Sequence, residues 1–161
     1  MNGILKKFAV FFLSLAVMTP MVDAQNHRTS GNRGGNHPTA QRPTNFSIQM
    51  LESKDWYVKF VDEEYNKRDP QGIRLENNQF ISFYYSNNSR REAAVPYYLS
   101  PSQDKTFIAS KIGLYKSGNY IVTQDQYGFM CAKILSLTDD TLTIYCHWNR
   151  QQLTFTTKRP N

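Results

Sequence analysis

The chain has 161 residues, enough for one hydrophobic core and not for two. Its formal charge of +6 raises nucleic acid as a partner, and the distribution of that charge removes it. Without residues 1–24 there are 17 basic side chains against 12 acidic, and from Asn45 onward 14 against 12. A near-balanced domain lacks the concentrated basic face that phosphate neutralisation requires.

The first residues are organised as an export signal. Lys6 and Lys7 precede the uncharged run Phe8 to Met18, Pro20 ends it, and Val22-Asp23-Ala24 offers small or modest residues where a signal peptidase reads. The run is about half of the roughly 20 residues a membrane helix needs, and no cysteine stands at the cleavage site for a lipid anchor. The sequence therefore predicts a signal peptide over 1–24 and no transmembrane segment in the mature chain. The destination is the periplasm, the outer cell surface or the medium.

Residues 25–44 contain Gly31, Gly34, Gly35, Pro38 and Pro43, three arginines, no acid and no large apolar side chain. Such a segment cannot offset its ordering entropy by burial and reads as a disordered polar linker. After cleavage it would begin Gln25-Asn26-His27, whose amine, amides and imidazole suit square-planar Cu(II) or Ni(II). An N-terminal glutamine cyclises to pyroglutamate and consumes that amine, so no metal site and no cofactor is expected.

From Asn45 onward come all ten tyrosines, both tryptophans and seven of the ten phenylalanines. Alternation with period two, broken at short intervals by turn residues, predicts strands. They fall at "DWYVKFV" (55–61), "GIRLE" (72–76), "NNQFISFYYS" (77–86), "VPYYLS" (95–100), "KTFIAS" (105–110) and "GNYIVTQ" (118–124). "GFMCAKILSL" (128–137) and "TLTIYCHW" (141–148) form a hairpin around Asp139-Asp140, and "QQLTFTTK" (151–158) closes the chain. "SNNSRRE" (86–92) reads as a polar loop. "NFSIQMLES" (45–53) fits either a single helical turn or a first strand. The expected fold is all-β, one small antiparallel barrel of about eight strands over residues 45–161.

Catalytic chemistry is thinly represented. His27 and His37 lie in the linker. His147 adjoins Cys146, but neighbours on a strand point to opposite faces, which leaves His147 a solvated strand residue. Hairpin pairing around Asp139-Asp140 puts Cys131 on the Cys146 face. A turn centred between Thr138 and Asp139 sets the two cysteines directly opposite, and one centred between Asp139 and Asp140 sets them diagonally. An even cysteine count in an exported chain permits the Cys131–Cys146 disulfide, with two buried free thiols as the alternative. No nucleophile elbow, zinc-protease motif or phosphate loop occurs, so no enzyme is expected.

The order of "PYYLS", "TF", "KIG" and "GNYIV", followed by a hydrophobic strand, "LTDDTL" and the terminal "LTFTTK", resembles the small lipocalin-like domains of secreted Bacteroides-group proteins. The resemblance spans most of residues 50–158 and implies a lipocalin-like barrel. It also implies that Trp56 packs against Lys158 or Arg159 across the closed end. Lipocalins carry glycine two residues before that tryptophan, and this chain has Lys54. Asp140-Thr141-Leu142 is similar to the O-glycosylation signal of that bacterial group.

Adjacent aromatic residues on strands present one ring to each face, so they cannot all fill one core. The first functional expectation is a non-catalytic protein holding an apolar or amphipathic small ligand in or at the mouth of the barrel. Its expected wall is Trp56, Phe83, Tyr85, Tyr98, Tyr120 and Trp148. The alternative is a protein-interaction module with a filled barrel, a protease inhibitor or a cell-envelope assembly subunit, working through residues 86–95 with Arg90-Arg91 at the tip. The expected partners are thus a small apolar ligand or an envelope protein.

Overall fold

The computed structural model describes residues 45–59 and 70–160. Residues 1–44, expected to be a signal peptide and a linker with His27, and the acidic residues Asp62, Glu63 and Glu64 lie outside the described residues. "NFSIQMLES" is both things its pattern allowed. Phe46–Ser47 form β1, and Ile48–Leu51 form a single helical turn, α1, whose start is capped by the Ser47 hydroxyl accepting from the Gln49 amide. Then come β2 (Asp55–Val58), β3 (Gln71–Glu76), β4 (Gln79–Ser86), β5 (Ser89–Ser100), β6 (Ser117–Gly118), β7 (Tyr120–Asp125), β8 (Gly128–Leu137), β9 (Thr141–Cys146) and β10 (Gln151–Thr156). Eight of these close an antiparallel barrel in the order β10-β2-β3-β4-β5-β7-β8-β9, while β1 and β6 pair with each other outside it.

Two Asn-Asn pairs make the turns that bring β3, β4 and β5 together. Asn77 and Asn78, then Asn87 and Asn88, all adopt positive φ, the conformation that suits the twist of a two-residue hairpin and that asparagine tolerates best outside glycine. The second turn corrects the expected loop at 86–92. Only Asn87-Asn88 turns, and Ser-Arg-Arg-Glu already belongs to β5, paired to β4 from Ser86–Ser89 onward. "KTFIAS" is a further correction. It forms no strand but part of a strap over residues 101–116, with one 3-10 turn at Ala109–Lys111.

The strands bury their inward positions together. Trp56 and Val58, Ile73 and Leu75, Phe80, Tyr97 and Leu99, Ile121, Ala132 and Ile134, Leu142, Ile144 and Cys146, Leu153 and Phe155 make one core, and α1 closes one end of it with Ile48 and Leu51. At Gly72 the chain has no room for a side chain. A Cβ there would overlap the Trp56 carbonyl oxygen and lie 2.8 Å from the Phe83 ring. The glycine lets β2 bend close over β3, and the rings of Phe83 and Tyr57 meet edge to face at 5.3 Å on the outer wall around it.

A bulge decides where the cysteines go. Leu137 pairs with Leu142, but the register between β8 and β9 shifts between Ile134 and Ser136, so Ala132 and not Lys133 stands opposite Cys146. Leu135 is the extra residue and is 43% exposed. One inserted residue reverses the faces of everything beyond it. Cys146 therefore points into the barrel core, while Cys131 points outward beside Tyr98 and Val122. Both are buried free thiols. The expected Cys131–Cys146 disulfide is corrected on this ground, because side chains on opposite faces of a sheet cannot meet the geometry of the bond.

Candidate functional site

The six aromatic residues expected to share a ligand wall lie in four places. Trp56 is inside the barrel with no exposed surface, and its indole N–H donates to the Leu51 carbonyl at 2.8 Å. Phe83 and Tyr85 lie on the outer wall of β4. Tyr98 and Tyr120 lie on the outer wall of β5 and β7, against the strap. Trp148 sits in the turn between β9 and β10, 40% exposed. The basic partner that the resemblance implied for Trp56 is also different. Lys54 lies over its ring at 5.6 Å and donates to the Asp139 carbonyl, while the Arg159 guanidinium lies over Tyr85 at 4.2 Å.

The outer wall of β2 to β5 carries an arginine–aromatic cluster. Its positions alternate with the core: Asp55 and Tyr57, Gly72 and Arg74, Phe83 and Tyr85, Arg90 and Glu92 all face out. The Arg90 guanidinium grips Asp55 with both terminal nitrogens, reaches Glu92 through Nε and lies 4.1 Å above the Phe83 ring. That fork-shaped pairing is specific to arginine, and the Asp55 contact holds the guanidinium well above its ordinary pKa. Arg74 bridges to Glu76 at 3.0 Å. Burial, then the hydroxyl contact with Tyr85, pushes Tyr57 up to about 12. Arg90 is therefore a fixed part of the wall and not the tip of the loop expected over residues 86–92. Pattern alone shows an arginine pair but not which of the two is engaged.

A second outer cluster lies under the strap. Tyr98, Val122 and Cys131 are covered by Phe107, Ile108 and Ile112 and flanked by Tyr120 and Phe129. One hydroxyl organises the cover. Tyr98 donates to Asp104 Oδ2 at 3.0 Å and accepts from the Ile108 amide at 3.3 Å, while Lys111 Nζ reaches Asp104 Oδ1 at 2.7 Å. Burial pushes the Asp104 carboxyl up, but the Lys111 ammonium and the Tyr98 hydroxyl outweigh it and hold the group below its ordinary 3.8.

A carboxyl depressed in the folded state contributes stability that is complete above its unfolded pKa and disappears as pH falls through the folded value. The strap is thus expected to be fully held at neutral pH and to loosen only below about pH 4. Protection of the Ile108 amide in hydrogen exchange, corrected for intrinsic rates, is the measurement. Loss of that protection between pH 7 and 5 would contradict the assignment.

The bulge also brings together what the sequence had separated. Cys131 shares the outer face with His147, whose ring stacks on Tyr120 at 6.2 Å and meets Tyr145 edge to face at 5.0 Å. His147 Nε2 is buried with no hydrogen-bond partner, so this histidine is packed rather than solvated. The thiol is no nucleophile in this state, because burial pushes its pKa up and the strap covers it. Among the described residues no three or more His, Cys, Asp or Glu side chains gather where they could hold a metal ion, and no helix there is long and apolar enough to cross a membrane.

Fold and walls together define a closed antiparallel eight-stranded barrel with one buried core cluster and two organised outer surfaces. No family model, curated protein or solved structure matches the chain.

Proposed function

We propose that this is an exported, non-catalytic binding protein that works as a protein-interaction module, with recognition carried on the outside of a filled barrel. The observation that supports this reading most is the occupant of the interior. Trp56, Tyr97, Leu51, Phe155, Ile73, Leu75 and Leu99 are essentially without exposed surface and meet in one core that α1 plugs. Outside, aromatic rings and arginines are fixed in place, the composition favoured at recognition surfaces. The envelope-assembly form fits better than the inhibitor form, because Arg90 is locked to Asp55 and Arg91 lies in a strand rather than an accessible loop.

The second reading, a small apolar ligand at the barrel mouth, is favoured by Trp148 and Tyr127. Both are exposed aromatic residues in turns at the end opposite α1. Titration with an apolar probe dye separates the two. A filled barrel is expected to give no saturable binding and the same thermal midpoint before and after delipidation. A saturable site that quenches tryptophan fluorescence would overturn the first reading in favour of the second.

A further inference from the structure

The barrel is closed, but one of its strands is longer than its neighbour. β5 pairs with β4 along Ser89–Pro96, while β7 pairs with it only over Tyr97–Ser100. Pro96 ends that second ladder. It has no N–H to offer, and its carbonyl is taken by the Thr123 hydroxyl at 2.7 Å. Residues 89–95 therefore show an edge with no strand beside it among the described residues.

The alternation of the edge is fixed by bonds on either side of Pro96. The Tyr97 amide donates toward β4, at the Asn78 carbonyl, and the Ser100 carbonyl accepts from Asn119 on the other side. Odd-numbered residues thus bond to β4, and the backbone amides and carbonyls of Arg90, Glu92 and Ala94 face outward from the edge. Ala93 and Ala94 put little bulk beside it. Two of the three charges on this stretch are already paired with neighbours, Arg90 with Asp55 and Glu92 with Arg90. Arg91 lies opposite Tyr84 on the barrel-side face of β5, beyond the last β7 pair at the rim, where it is exposed and makes no ion pair among the described residues.

We propose that the Arg90–Ala94 edge of β5 receives an extended segment of a partner protein as an added β-strand, with an acidic side chain of that segment set against Arg91. The proposal rests on the protein-interaction reading and names the chemistry of its partner. Unpaired edge amides supply the affinity in strand addition, and the flanking side chains select the sequence. The intramolecular pairing of Arg90 and Glu92 leaves Arg91 as the charge that selects.

The test is titration of the isotope-labelled full chain, followed by amide NMR, with two blocked nonapeptides of alternating threonine and valine. One carries a central glutamate and the other a central lysine. The glutamate peptide is expected to shift and protect the amides of Arg90, Glu92 and Ala94, and the lysine peptide is expected to bind at least about tenfold more weakly. Ala94→Pro removes an N–H that bonds nothing within the barrel and is expected to abolish binding. Arg91→Glu, which leaves the backbone alone, is expected to reverse the preference between peptides.

Absence of saturable shifts at those three amides overturns the proposal, and so does binding that Ala94→Pro leaves unchanged. Self-association of the chain that Ala94→Pro abolishes would also overturn it, by giving the edge to a second copy. Each of these results leaves the protein-interaction reading standing. That reading fails separately, on saturable dye binding.

Discussion

Trp56→Ala is expected to destabilise the domain by about 3–5 kcal/mol, the range for removing a large aromatic side chain from a packed core. Three contributions add. The indole is fully buried among Leu51, Leu75 and their neighbours, so its removal leaves a cavity. Its N–H is bonded to the Leu51 carbonyl at 2.8 Å, so α1 loses its tie to β2. Lys54, stacked over the ring at 5.6 Å, loses its support. Urea unfolding is the measurement, with a lowered midpoint and an unchanged slope as the expected result. The same variant bears on function. If Trp56 lined an open ligand site, shortening it would cost under about 1.5 kcal/mol, the scale of a well-tolerated core change, and that outcome would revive the small-ligand reading.

The second large effect is kinetic and uses the two thiols as reporters. Cys131 lies beneath the strap, and Cys146 lies inside the barrel with its pKa pushed up to about 12 by burial. A thiol reagent is expected to reach Cys131 when the strap lifts and Cys146 only when the barrel unfolds, giving two well-separated labelling phases. Tyr98→Phe keeps the ring against Phe107 but removes the donor to Asp104 and the acceptor for Ile108. A hydrogen bond to a charged group is worth about 1.5–3 kcal/mol, so labelling of Cys131 is expected to accelerate by about 10-fold to 100-fold. Cys146 is expected to accelerate much less. Equal acceleration of both would mean that strap and barrel open as one unit.

Most of the strands were legible in the pattern because alternation and turn residues are local. β2, β3, β4, β7, β8, β9 and β10 fall where period two places them, and the Asp139-Asp140 turn closes the hairpin it suggests. The two failures have separate causes. In "SNNSRRE" the polar residues are those of an exposed edge strand, whose side chains need not be apolar, so composition resembled a loop. In "KTFIAS" the apolar residues are consecutive rather than alternating, and Phe107 and Ile108 both pack down onto the Tyr98 cluster from a strap and pair with no strand.

The candidate sites were less legible than the fold. Outward-facing tyrosines at 57, 85, 98 and 120 have the same alternation as inward-facing ones, and only the identity of the covering element separates them. The pairing of Arg90 with Asp55 links residues 35 apart in the chain, and no local pattern encodes it.

By itself, the sequence determined an all-β domain from Asn45 onward, near balance in charge, with strand positions set by a two-residue period that each segment carries within itself. The tertiary structure decided which face each residue occupies. Facing depends on cross-strand register, and a single extra residue at Leu135 inverts it for the whole of β8 on its N-terminal side. That inversion separates Cys131 from Cys146, joins Cys131 to the His147 face, and turns an expected disulfide into two thiols in different compartments of the fold.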